Sequence, residues 1–431
     1  MHIRIPETKL PRVVIIGGGF GGITLGRALK KAPVQVVMFD KNNYHTFQPL
    51  LYQVATGGLE PDSIAFPLRK LFDKQSNFFF RMAEVEHIDS EANTVHTTLG
   101  PIHYDYLVMA TGSKTNFFGM EGLERYAIGL KSTTEALDLR SLILQNFEQA
   151  NNEADPETRA RLLNFVVVGG GPTGVETAGA LAEIRRHILP RDYPEMDNTA
   201  MNINLVEAGS RLLAGMSEAS SSDAQEALEK LGVNIHLNTL VTDYDGTTVK
   251  TKADNLQFAA DTVVWSAGVK GAILPGLSES SMERGRLKVD AYCRVEGYDN
   301  VYAVGDVALM KTEEPWPDGH PQVAQVAIQM GEMFAKNLQH MLDGEEVSPF
   351  SYWDKGSMAT IGRNKAVVDI TETKHLKGFI AWLAWMFVHL FYLIGFRNKV
   401  IVFANWVWSY FTYDKGTRLI IRPFDKQRAP Q

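Results

Sequence analysis

At 431 residues with 45% apolar side chains, the chain has the composition of a globular protein of about two to three domains, which excludes fibrous and disordered classes. Its one cysteine, Cys293, excludes an intramolecular disulfide and any electron relay through a cysteine pair, and it favours a cytoplasmic setting. The net charge of −7 is uneven: residues 374–431 carry nine Lys/Arg and two Asp/Glu, a balance of +7, which leaves −14 on the rest. A basic tail behind an acidic body points to an anionic partner. Four of the seven tryptophans, Trp382, Trp385, Trp406 and Trp408, lie in that tail, so it is too apolar to favour nucleic acid. Met1 to Arg12 lacks the apolar run of a signal peptide.

In chain order, Val13–Ile16 predicts a buried strand. It runs into Gly17-Gly18-Gly19-Phe20-Gly21-Gly22 and then a helix-like stretch. Strand, G-x-G-x-x-G and helix make the fingerprint of a dinucleotide-binding β-α-β unit. The first glycine makes the turn, the second lets the backbone approach a pyrophosphate, and the third lets helix and strand pack closely. A second strand, Val34–Phe39, ends at Asp40, where a carboxylate can accept hydrogen bonds from a ribose diol; Lys41 follows it. Met82-Ala83-Glu84-Val85 reads as a further strand, and Tyr106–Ala110 as another, ending in Thr111-Gly112.

The pattern then repeats. Phe165–Val168 runs into Gly169-Gly170-Gly171-Pro172-Thr173-Gly174, and Ile203–Val206 ends at Glu207. His187 to Met201 reads as a loop insertion that lengthens this second unit. Asp261–Gly268 closes it, and Asn300–Val304 then leads into Gly305-Asp306. A strand ending in G-D after the second unit predicts that the chain returns to complete the first domain. Asp306 would then bond the ribityl chain of a flavin. The expected fold is α/β: two Rossmann-like domains, the second inserted in the first, with a helical C-terminal region. The expected boundaries are 1–115 and 286–345 for the first domain, 116–285 for the second and 346–431 for the tail. A single fingerprint can be a plain glycine-rich turn; two, each with an acid at the end of the next strand, imply two dinucleotides and electron transfer between them.

The tail holds two apolar segments. Gly378–Phe396 has only His389 as a polar group, and Asn398–Thr412 carries a narrow stripe of Asn398, Asn405, Ser409 and Thr412 at helical spacing. A lone span would translocate Lys399, Lys415, Arg418, Arg422, Lys426 and Arg428, against the positive-inside tendency. Two helices lying in a membrane interface fit better, with cations reaching anionic headgroups. The alternatives are a helical hairpin in a homodimer core and a true span.

Together these residues resemble the type II NADH:quinone oxidoreductases, single-chain respiratory dehydrogenases that do not pump protons. The resemblance covers nearly the whole chain. Its more specific motifs are His45-Thr46-Phe47-Gln48-Pro49-Leu50-Leu51-Tyr52, Pro67-Leu68-Arg69, Ala324-Gln325-Val326-Ala327, Lys355–Gly362, the start of the tail from Lys377-Gly378, and Gly416–Ile420. The resemblance implies non-covalent FAD at Gly17–Gly22 (with Phe20), Asp40, Lys41, Val85, Thr111, Gly112, Gly305, Asp306, Ala324 and Lys377. It implies NADH at Gly169, Gly171, Gly174, Glu207 and Gly268, and quinone at Ala324, Gln325 and Ala327. Glu176 would be the catalytic carboxylate, as an electrostatic or proton-handling group; its bland alternative is an acid in the first turn of a helix. No metal is implied. The expected setting is the cytoplasmic face of the inner membrane, with membrane quinone and anionic lipid as partners and a second copy of the chain as a further candidate. The competing readings are a soluble FAD-dependent reductase of a ferredoxin-type protein and a redox-sensing nucleotide-binding protein.

Overall fold

The computed structural model describes residues 3–425 except 254, 313–314 and 372–373, so Lys426 and Arg428 lie outside the described residues. The helices that carry the sites are α1 (Phe20–Ala28), α2 (Leu51–Ala55), α3 (Thr133–Asn152), α4 (Pro172–Glu183), α5 (Ala324–Asp343), α6 (Gly378–Tyr392) and α7 (Phe396–Thr412).

The chain divides into two units. The first comprises residues 1–45, 66–114 and 269–354; the second comprises 46–65, 115–268 and 355–431. In the first, a five-stranded parallel sheet runs in the order Val301–Ala303, Tyr106–Met109, Arg12–Ile16, Gln35–Asp40, Phe78–Met82. Val13–Ile15 are wholly inaccessible to water, as expected of continuous apolar strands covered on both faces. Val301–Ala303 pairs beside Tyr106–Met109, so the chain does return to complete the first sheet. α5 packs along α1, and Gly331 lets it approach: a Cβ there would lie 2.7 Å from the Gly21 carbonyl oxygen.

The second unit repeats the scheme with a four-stranded parallel sheet, ordered Asn234–His236, Asn202–Val206, Asn164–Val168, Thr262–Trp265. α3 starts at a capping box: Ser132 Oγ accepts the Glu135 N–H at 3.1 Å while Glu135 Oε2 accepts the Ser132 N–H at 2.8 Å. A three-stranded antiparallel sheet, Ser357–Gly362, Lys365–Thr371 and Lys374–Lys377, carries α6 on its middle strand.

Three expectations differ from the structure. Residues 46–65 and 355–431 group with the second unit, because α2 packs on α3 and α4, and because strand Ser357–Gly362 packs on α4. The presumed loop at 187–201 is largely helical: α4 passes through a π turn, Ile184–Ile188, into a short helix, Leu189–Asp192, with Ile184, Ile188 and Leu189 buried. The strand expected over Met82–Val85 is broken, one strand ending at Met82 and the next beginning at Val85.

Candidate active site

Both glycine-rich turns are built alike. Gly17 and Gly169 each adopt φ of +109°, a conformation strained for a side-chain-bearing residue. A Cβ on Gly22 would collide with the Gly17 carbonyl oxygen, and one on Gly174 with that of Gly169. Above the middle glycines there is room: a Cβ on Gly171 meets no protein atom within 4 Å, and one on Gly19 only the Ala110 oxygen at 4.0 Å. That is the open backbone a pyrophosphate needs at a helix N-terminus.

In the first unit, Asp40 Oδ2 accepts the Gly18 N–H at 2.6 Å, and Oδ1 accepts that of Asn42 at 2.7 Å. Burial pushes the Asp40 carboxyl up, against the pull of these two bonds and of exposed Lys41. Asp306 Oδ2 accepts the Ser113 hydroxyl at 2.6 Å, and its carbonyl accepts Gln322 Nε2 at 3.0 Å. Thr111 Oγ1 is buried beside Gly112 with no protein partner. An open glycine cradle, a strand-end acid and an orphaned hydroxyl fit a flavin dinucleotide.

His45, quoted in the sequence only within its motif, belongs to this cradle. Its Nδ1 lies 2.9 Å from the Gly18 oxygen, its ring meets Phe20 edge-on at 4.9 Å, and its Nε2 is buried without a protein partner. Burial pushes it down to about 4, so the imidazole is neutral at pH 7. Val85 is buried at the start of its strand. Ala324 and Gln325 open α5, both half-buried, while Ala327 is buried. A Cβ on Gly305 would lie 3.0 Å from Ala327 Cβ, so a small residue at 327 also serves packing.

In the second unit, Glu207 Oε2 accepts the Gly170 N–H, and Gly268 lies at the end of strand Thr262–Trp265, close under Phe118. Lys377 is exposed and pairs with Asp223 at 2.9 Å, which raises its pKa; contact with a flavin would require that pair to open.

Glu176 is no first-turn surface acid. It lies within α4 and is buried, lining a cleft that opens to solvent. Burial pushes its carboxyl up to about 8; the Thr360 N–H, 3.4 Å away, and the adjacent Trp385 indole pull the other way. The Trp385 N–H is buried with no partner of better geometry than Glu176. Tyr52 lines the same cleft, its phenol held neutral chiefly by burial, and its oxygen accepts the Gln53 Nε2–H at 2.8 Å. Gln53 Oε1 in turn accepts the Trp406 N–H at 2.7 Å. At the far end Lys415 reaches the Ala180 carbonyl oxygen at 3.3 Å and Glu183 at 4.0 Å. Glu176 was legible from its place after the fingerprint; Tyr52 and Gln53, and Trp406 and Lys415, come from two distant stretches of the chain, and no spacing links them to it.

α6 and α7 wall this cleft with Trp382, Trp385, Met386, Trp406, Ser409 and Tyr410. Their outer faces are apolar: Phe387, Phe391, Phe396, Trp408 and Phe411 are each more than 60% exposed. The polar stripe of α7 faces inward, Asn398 bonding the Asp62 and Ala65 oxygens and Asn405 bonding Glu60. His389, the polar group of α6, is half-buried, stacked on Trp385 at 4.0 Å. Among the described residues no helix is long and apolar enough to cross a membrane.

The profile of the pyridine nucleotide-disulphide oxidoreductase family matches residues 11–331, and that of the NDH2 C-terminal domain matches 354–412. The chain is 40% identical over 422 residues to the type II NADH:quinone oxidoreductase Ndh of Mycobacterium tuberculosis, covering 94% of this chain and 89% of that protein. It is 32% identical over 363 residues to the Staphylococcus aureus enzyme of that name, covering 83% and 89%. In fold it resembles NDH2 of Plasmodium falciparum, solved with NADH (TM-score 0.87, 21% identity, 96% and 100% covered). It also resembles the sulfide:quinone oxidoreductase of Aquifex aeolicus (TM-score 0.72, 21% identity, 93% and 95% covered). With two nucleotide cradles, a buried carboxyl in an aromatic cleft and this kinship along its length, the chain belongs to the type II NADH:quinone oxidoreductases.

Proposed function

We propose that this chain is a peripheral membrane flavoenzyme that passes two electrons from NADH, through non-covalent FAD, to a membrane quinone without pumping protons. The observation that carries the reading is the Glu176 cleft. A carboxyl that stays largely protonated near neutral pH lines a space whose wall is formed by the two helices with apolar outer faces. A quinone is a flat apolar ring with two acceptor oxygens, and its reduction takes up two protons as well as two electrons.

Bound FAD supplies the two-electron chemistry, accepting hydride from the nicotinamide and delivering electrons to the acceptor. The chain's own groups do the rest. Asp40 and Glu207 hold their glycine turns and offer free oxygen lone pairs to ribose hydroxyls. Glu176 holds a proton on its carboxyl, and Tyr52 stays neutral as a hydrogen-bond donor. Gln325 does not line this cleft; the resemblance assigns it as a donor and acceptor for a quinone carbonyl, which is a separate expectation about the start of α5. The exposed aromatics of α6 and α7, flanked by Arg397 and Lys399, enter the headgroup region of an anionic bilayer on the cytoplasmic face. A second copy of the chain is the other cover such a face could take.

Stopped-flow mixing of the FAD-loaded protein with NADH, then with a short-chain quinone on anionic vesicles, tests this. Rapid flavin bleaching by NADH and rapid recovery by quinone are expected. Bleaching without recovery by any quinone would leave the soluble-reductase reading standing.

A further inference from the structure

Lys415 is a buried amine that the chemistry described so far leaves unused. It is 9% exposed and lines the Glu176 cleft, in the same unit as every other residue of that cleft. Its place follows from α4. Glu176, Ala180 and Glu183 are spaced i, i+4, i+7 and so fall along one face of the helix. Strand Ser357–Gly362 follows that face in matching order. The Thr360 N–H reaches Glu176, a Cβ on Gly179 would collide with the Ile361 carbonyl oxygen, and the Arg363 N–H bonds Glu183 Oε1 at 2.6 Å. Lys415 Nζ lies 3.3 Å from the Ala180 carbonyl oxygen and 4.0 Å from Glu183 Oε2. Ala180 is one turn past Glu176, a rise of about 6 Å, which a short chain of waters spans. Exposure grows along this line: Glu176 and Lys415 are buried, and the Glu183 side chain is 25% exposed.

Burial lowers the Lys415 pKa; the Glu183 charge opposes that, and Arg418 and Arg363 add to it. Among the described residues these are the charges that act on it, from α4, from its own segment and from the end of the strand. Arg418 is paired with Asp192 at 2.7 Å and with Asp414 at 2.9 Å. Arg363 donates to the Ser409 and Tyr410 carbonyl oxygens at the end of α7. His187, on the π turn, feels the Glu183 charge as well. An amine so placed gives up its proton more readily than a surface lysine.

Resting on the reading that quinone is reduced at this cleft, we propose that Lys415, with Glu183 at its outer side, is the proton entry to Glu176. NADH, quinone and one proton give NAD+ and quinol, so each turnover draws one proton from water. Glu176 gives its carboxyl proton to a quinone oxygen: one O–H bond breaks, another forms, and a carboxylate is left. The Lys415 ammonium returns a proton to that carboxylate through water in the cleft and becomes a neutral amine. Solvent at the Glu183 end reprotonates the amine. The two electrons come from NADH, and none passes through Lys415.

The test reduces the FAD-loaded full chain with NADH and follows flavin recovery by a short-chain quinone on anionic vesicles, from pH 6 to pH 8.5. In Lys415→Met, bleaching by NADH should match wild type, and recovery at pH 8.5 should slow by about tenfold or more. The deficit should close toward pH 6, where protons reach Glu176 from solvent directly. Lys415→Arg keeps the positive charge beside Glu183 but does not release its proton, so it should copy Lys415→Met. It also serves if Lys415→Met does not fold. Slowing by the same factor at every pH would reveal a purely structural lysine and overturn the relay. A wild-type pH profile in either folded variant would overturn it too. Both outcomes leave quinone reduction standing, because wild type still recovers; a wild type that recovers with no quinone overturns the relay and the quinone reading together.

Discussion

Glu207 accepts the backbone N–H of Gly170 on Oε2 at 2.5 Å, and its Oε1 takes the Gly209 N–H at 2.6 Å. The carboxylate is thus pinned at the rim of the second glycine turn, where a ribose 2′-hydroxyl can donate to it and a 2′-phosphate meets its charge. Wild type should prefer NADH to NADPH, and Glu207→Gln should narrow the ratio of their kcat/KM values by about tenfold. Equal use of both by wild type would refute the role given to Glu207.

Gln325→Leu should spare flavin reduction by NADH and slow reoxidation by quinone. A quinone carbonyl left unpaired in a site built to bond it costs about 1–3 kcal/mol, or roughly five- to more than a hundredfold in rate. Double-mixing stopped-flow separates the two half-reactions. Slowing confined to the NADH step would place the quinone elsewhere.

Glu176, raised to about 8, binds a proton in the folded state that the unfolded chain has already released above its ordinary value of 4.5. Between those values the folded state holds more protons, so its stability falls as pH rises, by up to about 1.4 kcal/mol per pH unit from this group. Below 4.5 the contribution is constant, and above 8 the loss is complete. Glu176→Gln should therefore flatten the fall in urea stability from pH 5 to pH 8. Parallel profiles for the two proteins would contradict a raised pKa.

Phe387→Asp with Phe411→Asp should reduce partition onto anionic vesicles by tenfold or more, with an unchanged circular dichroism spectrum. Each exposed ring placed in the bilayer is worth about 1.5–3 kcal/mol. Point changes suit this better than deleting the tail, because α6 buries Ala381 and Trp385 and its loss would open the Glu176 cleft. A fall from dimer to monomer with vesicle binding intact would favour the second copy as the cover.

Cys293 is wholly buried, and burial pushes its thiol far up. It should resist iodoacetamide in the native protein and react in denaturant. Native alkylation, followed by mass, would show that the site opens.

The local chemistry of the two nucleotide cradles was legible in the sequence. A strand, three glycines at fixed offsets and an acid at the next strand end are short-range requirements, so Gly17–Gly22 with Asp40 and Gly169–Gly174 with Glu207 announce themselves within one β-α-β unit. The return of Val301–Ala303 to the first sheet was legible too, as a buried strand ending at Gly305-Asp306. The periodicity of Asn398, Asn405, Ser409 and Thr412 showed that α7 has two faces. Only the tertiary structure decided which face the body takes: the asparagines turn inward because Glu60, Asp62 and Ala65 offer acceptors there, leaving the aromatics outside. Only the tertiary structure raised Glu176 and gathered Tyr52, Trp385 and Lys415 around its cleft, because burial and dielectric belong to the packed assembly and no single segment encodes them.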